Sequence, residues 1–216
     1  MFQEKLTAQE LADVGIIAII RADSDEGLMD AAAALHRGGV TAMEITLNTP
    51  HALKVMSQVK GEWGDKIRVG AGTILGPDDA RRSIEAGAEF IVTPSLQPDT
   101  IGVCREQRVP ILCGCMTPGE ALIAHRAGAD FIKLFPAGSL GVDYVRSILA
   151  PLPFLKLMPT GGVSLENLAA FIRAGCAGAA VGGELVSKKI LREKDWDRLA
   201  ALAEKFRAAL TEARTQ

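Results

Sequence analysis

The order of apolar and amphipathic segments predicts an α/β fold, namely a (β/α)8 barrel of the TIM type with an extra N-terminal helix. Eight short apolar runs, each typical of a buried strand, alternate with helical patterns along the chain. A glycine motif that ends a helix recurs before every second strand at a nearly constant interval. The chain has 216 residues, near the lower size limit of this barrel, so we expect one domain over residues 1–216.

The extra helix is the first predicted element. Thr7 and Glu10 have the spacing of a capping box, in which the two side chains satisfy backbone N–H groups at a helix start. Leu11 and Val14 share one face of this helix, and Gly15 ends it.

Strand and helix segments then alternate without interruption. The predicted strands cover residues 16–20, 42–47, 67–71, 90–92, 110–113, 131–135, 154–158 and 177–181. The predicted helices between them cover residues 25–37, 49–59, 77–86, 99–107, 118–127, 143–149 and 164–174. A last helix over residues 195–213 carries an apolar stripe with the spacing that packing on a core requires, made of Trp196, Leu199, Ala203, Phe206 and Leu210.

The recurring glycine motif favours a closed barrel. It reads Arg37-Gly38-Gly39-Val40, Glu85-Ala86-Gly87-Ala88, Arg126-Ala127-Gly128-Ala129 and Arg173-Ala174-Gly175-Cys176. Each copy ends a helix and leads into strand two, four, six or eight, so the pattern repeats every two β/α pairs. An open doubly wound sheet is the alternative. It is expected to carry G-x-G-x-x-G after its first strand, and the segment Arg21-Ala22-Asp23-Ser24 lacks that motif.

Composition excludes several classes of partner. The chain is 48% hydrophobic and 23% charged with a net charge of -2, which predicts neither a nucleic-acid surface nor a membrane surface. The 4 cysteines include no C-x-x-C pair, and Cys113-Gly-Cys115 has no accompanying histidine cluster. We therefore expect no metal, no cofactor and a reducing, cytoplasmic compartment.

The strand that begins at Phe131 carries a single lysine, Lys133, in an otherwise apolar run. A buried ammonium group loses its hydration and must be paired or lose its proton. An uncharged lysine can form a Schiff base with a ketone, so Lys133 is a candidate catalytic residue. The alternative is a lysine whose stem covers apolar surface while its charge reaches solvent. Lys156 lies in a run with nearly the same spacing, and periodicity does not choose between the two.

Strand two has one polar and one apolar face. The alternating sets are Glu44, Thr46 and Asn48 on one face and Met43, Ile45 and Leu47 on the other. We expect the polar set to face the barrel lumen, where a glutamate can transfer protons for a Schiff-base enzyme. A structural ion pair is the alternative for Glu44. Arg21, at the end of strand one, is a candidate ligand for a substrate carboxylate.

Glycine-rich turns follow strands seven and eight. Thr160-Gly161-Gly162 follows the first of these strands, and Gly182-Gly183 ends the second. Barrels bind phosphate at these two positions, through backbone N–H groups and a helix N-terminus. The alternative is that the glycines only allow tight packing. The two turns together predict a phosphate-binding end.

Four motifs together resemble the 2-keto-3-deoxy-6-phosphogluconate (KDPG) / 4-hydroxy-2-oxoglutarate (KHG) aldolase family. They are Gly70-Ala71-Gly72-Thr73, Glu44-x-Thr46-Leu47, Phe131-x-Lys133-x-Phe135-Pro136-Ala137 and Pro159-Thr160-Gly161-Gly162. The resemblance implies a metal-independent class I aldolase, usually a homotrimer. It would cleave a 2-keto-3-deoxy-6-phospho-sugar acid to pyruvate and glyceraldehyde 3-phosphate, or 4-hydroxy-2-oxoglutarate to pyruvate and glyoxylate.

The same resemblance assigns roles residue by residue. Lys133 matches the Schiff-base lysine, in preference to Lys156, and Glu44 matches the acid/base. The residues expected to bind substrate are Arg21, Thr73 and Pro94 at the pyruvate end, with Asn48 and Phe135. The residues expected to bind phosphate are Thr160, Gly161, Gly162, Gly182 and Gly183.

Two positions depart from the family pattern. Asn48 stands where gluconate-type members carry Arg, and the run Leu47-Asn48-Thr49-Pro50 looks more like the 6-phosphogalactonate branch. Glu184 stands where many members have Ser beside the phosphate, and a carboxylate aimed at a phosphate would repel it. Two other functions remain open at this point: a phosphosugar isomerase or epimerase on the same barrel, and a sugar-acid phosphate binding protein without turnover.

Overall fold

Eight parallel strands form the wall of a barrel in the computed structural model, which describes residues 5–215. The strands are β1 (Ile16–Ile20), β2 (Ala42–Thr46), β3 (Arg68–Gly72), β4 (Phe90–Val92), β5 (Ile111–Cys115), β6 (Phe131–Leu134), β7 (Leu157–Pro159) and β8 (Ala179–Val181). Each pairs with its neighbours in chain order, and β1 pairs with β8. A parallel bridge between Thr160 and Ala180 closes the remaining gap. The predicted (β/α)8 barrel is confirmed.

The helices surround the barrel. They are α1 (Ala8–Val14), α2 (Leu28–Arg37), α3 (Ala52–Trp63), α4 (Pro77–Glu85), α5 (Pro98–Gln107), α6 (Pro118–Ala127), α7 (Ala137–Leu140), α8 (Val142–Leu149), α9 (Leu168–Arg173), α10 (Lys188–Glu193) and α11 (Trp196–Thr215). The sequence did not predict α7 or α10. The glycines of the recurring motif end their helices in the left-handed region, with φ between 78 and 103° at Gly39, Gly87, Gly128 and Gly175.

The strand alternation separates two apolar layers. In β6, Phe131 belongs to the cluster inside the lumen, whereas Ile132 and Leu134 pack in the layer between strands and helices. The strand β2 follows the same rule, because Met43 and Ile45 belong to the outer layer. The side chains that share a face with Phe131 therefore point into the barrel.

The extra helix closes the amino-terminal end of the barrel. The predicted capping box of α1 is present, with Thr7 and Glu10 bonded reciprocally, and Gly15 ends the helix with φ 73°. Leu11 and the preceding Leu6 are buried in the lumenal cluster. This packing fills the bottom of the barrel, and the opposite end is left for the site.

One strand begins later than its sequence suggests. The prediction for strand seven covered residues 154–158, but β7 begins at Leu157. Leu155 instead donates its backbone N–H to the carbonyl of Leu152 at 3.2 Å, which makes a turn before the strand. Lys156 is consequently exposed, with its Nζ 5.9 Å from the centroid of the Phe131 ring. The two lysines that periodicity left equivalent thus have different surroundings.

Candidate active site

A cavity of about 320 Å³ opens at the carboxyl ends of the strands. The predicted site residues that line it are Arg21, Glu44, Thr73, Pro94, Lys133, Phe135, Thr160, Gly161, Gly162, Gly182 and Gly183. Function gathers at this end of a (β/α)8 barrel, because the loops that follow the strands meet there. The barrel therefore brings together residues from seven of its eight strand ends, β5 being the exception.

Lys133 lies inside the barrel and is only 6% exposed. It shares the inward face of β6 with Phe131, and its register partner on β5 is Gly114, which has no side chain. Its Nζ lies 5.5 Å from the centroid of the Phe135 ring. Within residues 5–215 no carboxylate lies within 4.0 Å of this amine, so Lys133 is not held in a structural ion pair.

Glu44 is 1% exposed and faces the same cavity. Its Oε2 atom is buried and has no hydrogen-bond partner in the described part of the chain. Burial raises the pKa of Glu44, and this effect outweighs the positive charges of Lys133 and Arg21, which lower it. The carboxyl group is thus held in surroundings that favour its protonated form, with one oxygen free to bind a water or a substrate.

Gly72 leaves the space that the Glu44 carboxylate occupies. A Cβ atom at Gly72 would lie 1.7 Å from Oε1 and 2.4 Å from Cδ of Glu44. A side chain at this position of β3 is therefore incompatible with the observed conformation of the glutamate.

The residues that line the cavity include a cation and a strained threonine. Arg21 follows β1, is exposed, and forms no ion pair or hydrogen bond with any residue between 5 and 215. Thr73 follows β3 with φ 60°, a conformation that a β-branched residue rarely adopts. Pro94 packs closely against Gly114, because a Cβ at Gly114 would lie 2.3 Å from the backbone of Pro94. A free guanidinium that lines a cavity can bind the carboxylate of a ligand.

Unpaired backbone N–H groups lie in the loops that follow β7 and β8. Gly161 and Gly162 both have φ 78°, and Gly138 approaches so closely that a Cβ at Gly162 would lie 2.8 Å from its Cα. The N–H groups of Gly162, Val163 and Gly183 donate to no acceptor in the part of the chain described. The helix α9 begins only at Leu168, so loop amides rather than the N-terminus of α9 line this part of the cavity.

Asn48 lies outside the cavity, which corrects the expectation that it continues the lumenal face of strand two. The strand β2 ends at Thr46, and Thr49 donates its N–H to the Thr46 carbonyl at 2.8 Å in a turn. Thr46 is buried and donates to the Ile20 carbonyl. Asn48 is exposed and lines a neighbouring depression that also contacts Thr73. A role for Asn48 in substrate binding stays a prediction.

Further residues that the sequence did not indicate as site residues also line the cavity. They are Ile19, Val163, Val186 and Lys188. Glu184, which departs from the family pattern, also lines the cavity. Lys188 is the first residue of α10, a helix that the sequence did not predict. The only indication in the sequence that Lys188 lies near the cavity is that it follows the glycines of β8 closely.

The described residues show neither a metal cluster nor a disulfide. No group of three or more His, Cys, Asp or Glu within residues 5–215 is arranged to hold a metal ion. The four cysteines are free and buried. Among the helices described, none is long and apolar enough to cross a membrane.

A (β/α)8 barrel with an unpaired lysine and a carboxyl group buried at its carboxyl end defines the class of lyase that forms an imine with its substrate. The family model for KDPG and KHG aldolase matches residues 7–202, and the chain belongs to this family.

Similar proteins agree with this placement. The chain is 33% identical to the 2-dehydro-3-deoxy-6-phosphogalactonate aldolase of Escherichia coli, over 90% of this chain and 96% of the relative. It is 34% identical to the 2-dehydro-3-deoxy-phosphogluconate aldolase of Pseudomonas aeruginosa, over 87% of this chain and 86% of the relative. A solved structure described as native KDPGal superposes with a TM-score of 0.87 at 33% identity, and it covers 93% of this chain and 96% of that one.

Proposed function

We propose that this chain is a class I aldolase that cleaves a 2-keto-3-deoxy-6-phospho-sugar acid to pyruvate and glyceraldehyde 3-phosphate. The observation that carries the proposal is Lys133, which is buried in the lumen, lines the same cavity as Glu44 and has no ion-pair partner between residues 5 and 215. The family and the names of both relatives support the same reaction.

Lys133 forms the covalent intermediate. The uncharged amine attacks the C2 carbonyl carbon of the substrate, and the carbinolamine then loses water to give a protonated imine. The hydroxyl that leaves needs a proton, and a carboxyl group whose pKa is raised by burial keeps its proton to higher pH than an exposed one. We assign this transfer to Glu44, directly or through a water.

Bond cleavage follows from the charge on the imine nitrogen. The C4 hydroxyl loses its proton to Glu44, the C3–C4 electron pair moves into the imine, and the aldehyde leaves. The resulting enamine is protonated at C3, and water hydrolyses the imine to release pyruvate and restore Lys133. The substrate carboxylate pairs with Arg21, and its phosphate accepts from the amides of Gly161, Gly162 and Gly183.

Borohydride reduction tests the assignment of the lysine. With pyruvate present, we expect sodium borohydride to fix a pyruvate-derived adduct on the peptide that contains Lys133, and Lys133→Ala should abolish it. Lys156→Ala is the matched control and should trap as the parent does. An adduct on Lys156, or none, would refute the assignment.

A comparison of substrates tests the second half of the proposal. Pyruvate release should be measured from phosphogluconate-type, phosphogalactonate-type, unphosphorylated and hydroxyglutarate-type 2-keto acids. We expect a phosphorylated sugar acid to have the highest kcat/KM. A non-catalytic binding protein would release no pyruvate from any of them.

We further propose that the enzyme is a single domain that acts in the cytoplasm as a homotrimer. The extent of the family match supports one domain, and the four free, buried cysteines suit a reducing compartment. Leu75, Met116, Ile123 and Phe154 are large apolar residues between 48 and 61% exposed, and such surface suits contact between subunits. Light scattering coupled to size-exclusion chromatography would measure the subunit count.

A further inference from the structure

Two side chains of opposite charge line the cavity and follow β8, whose glycines are proposed to bind the phosphate. Glu184 follows the β8 glycines and has no ion-pair partner within residues 5–215. Lys188 also lines the cavity, and its Nζ lies 2.6 Å from a carboxylate oxygen of Asp23. An unpaired carboxylate here repels a phosphate that the loop amides attract, so the site needs a positive charge at this end.

The position of Lys188 is not explained by the stability of its own helix. It is the first residue of α10, where a cation opposes the helix dipole. Its neighbour Lys189 behaves differently, because it approaches Glu193 one turn later in the same helix, at 3.9 Å. Lys188 instead reaches across to the loop after β1 and borders the catalytic cavity.

We propose that Lys188 is the side-chain ligand for the distal phosphate of the substrate and that it offsets the repulsion from Glu184. The inference rests on the proposed function and adds a specificity-determining residue to it. Arg21 then binds the carboxylate at one end of the substrate, and Lys188 with the loop amides binds the phosphate at the other.

The ion pair with Asp23 does not prevent this role. The side chains of Lys188 and Asp23 are 62% and 79% exposed, and exposed pairs contribute little to stability. An ammonium group has three N–H donors, so Lys188 can keep its bond to Asp23 and donate to a phosphate oxygen.

Lys188→Ala and the matched control Lys189→Ala test the proposal with two substrates, 2-keto-3-deoxy-6-phosphogluconate and its unphosphorylated analogue. Because a charged hydrogen bond is lost, Lys188→Ala should raise KM for the phosphorylated substrate roughly tenfold and leave kcat nearly unchanged. KM for the unphosphorylated substrate should also stay nearly unchanged. Lys189→Ala should change KM for neither substrate. Lys188→Arg should restore most of the affinity, and Glu184→Gln should lower KM for the phosphorylated substrate.

Two outcomes would overturn the inference: Lys188→Ala changes KM equally for both substrates, or it changes KM for neither substrate. Pyruvate trapping by borohydride separates this failure from a failure of the proposed function. If the parent and Lys188→Ala both trap pyruvate, the aldolase mechanism stands and only the phosphate role of Lys188 is tested by the KM values. If the parent does not trap pyruvate, both proposals fall.

Discussion

Replacing Gly72 with alanine should displace the Glu44 carboxylate without disturbing the barrel. The added Cβ would lie 1.7 Å from Oε1 and 2.6 Å from Cγ, whereas ordinary contacts begin near 3.4 Å. The carboxylate must therefore move by roughly 1.5 Å or more to reach van der Waals distance. Gly72 does not have a positive φ, so alanine can adopt its backbone conformation.

This displacement predicts a catalytic defect with a small change in stability. A misplacement of about 1 Å can cost roughly 10²-fold in rate, and general acid–base catalysis contributes about 10²- to 10⁴-fold. We therefore expect Gly72→Ala to lower kcat about 10²-fold. The melting temperature should change little, because the group that moves is the end of a side chain whose Oε2 has no described hydrogen-bond partner to lose.

Pyruvate release under steady-state conditions measures kcat, and thermal unfolding measures the stability of each variant. Gly76→Ala is the control, because a Cβ there meets no atom within 4 Å. The double variant Gly72→Ala/Glu44→Gln should be no slower than Glu44→Gln alone, since both changes remove the same function. Full activity in Gly72→Ala, or losses that add in the double variant, would refute the reasoning.

Two more substitutions test the electrostatics and the strain of the site. Burial raises the pKa of Glu44, so the ionised form of this side chain destabilises the folded protein. The parent should therefore lose stability as pH rises from 4.5 to the raised pKa, whereas Glu44→Gln should not. The free energy of unfolding of Glu44→Gln should rise relative to that of the parent over this pH range. Below pH 4.5 this difference should be constant in chemical denaturation. Thr73→Gly should relieve the φ of 60° and stabilise the protein by about 1 kcal/mol, while KM for the keto acid rises; unchanged stability would contradict the strain.

Much of the fold follows from the sequence because its strands are short apolar runs bounded by glycine and polar residues. The predicted bounds of β1 and β4 agree with the structure. The helix α7 has only 4 residues, which is too short for a periodic pattern to emerge. The start of β7 was misplaced because Phe154 and Leu155 extend the apolar run of the strand, and only the turn that Leu155 makes with Leu152 shows that the strand begins later.

The same reasoning explains which site residues could be predicted. Lys133 and Glu44 are each an ionisable residue in an otherwise apolar strand, and buried ionisable residues are common at functional sites. Asn48 was misplaced because a period of two does not show where the strand ends, and the turn after Thr46 carries it away. Lys188 gave no signal because a charged residue on a short surface helix looks ordinary until the barrel brings it beside the β8 turn.

The separation of β2 from β6 explains how a lysine and a glutamate share one cavity inside a narrow barrel. The two strands lie opposite each other in the ring of eight, so Glu44 and Lys133 approach from facing walls. Small barrels of this kind are normally filled by side chains. Here glycine replaces them on the strands between: Gly72 on β3 leaves space for the carboxylate, and Gly114 on β5 pairs in register with Lys133. The two glycines therefore make room for groups that line the cavity, the Glu44 carboxylate at Gly72 and the Pro94 backbone at Gly114.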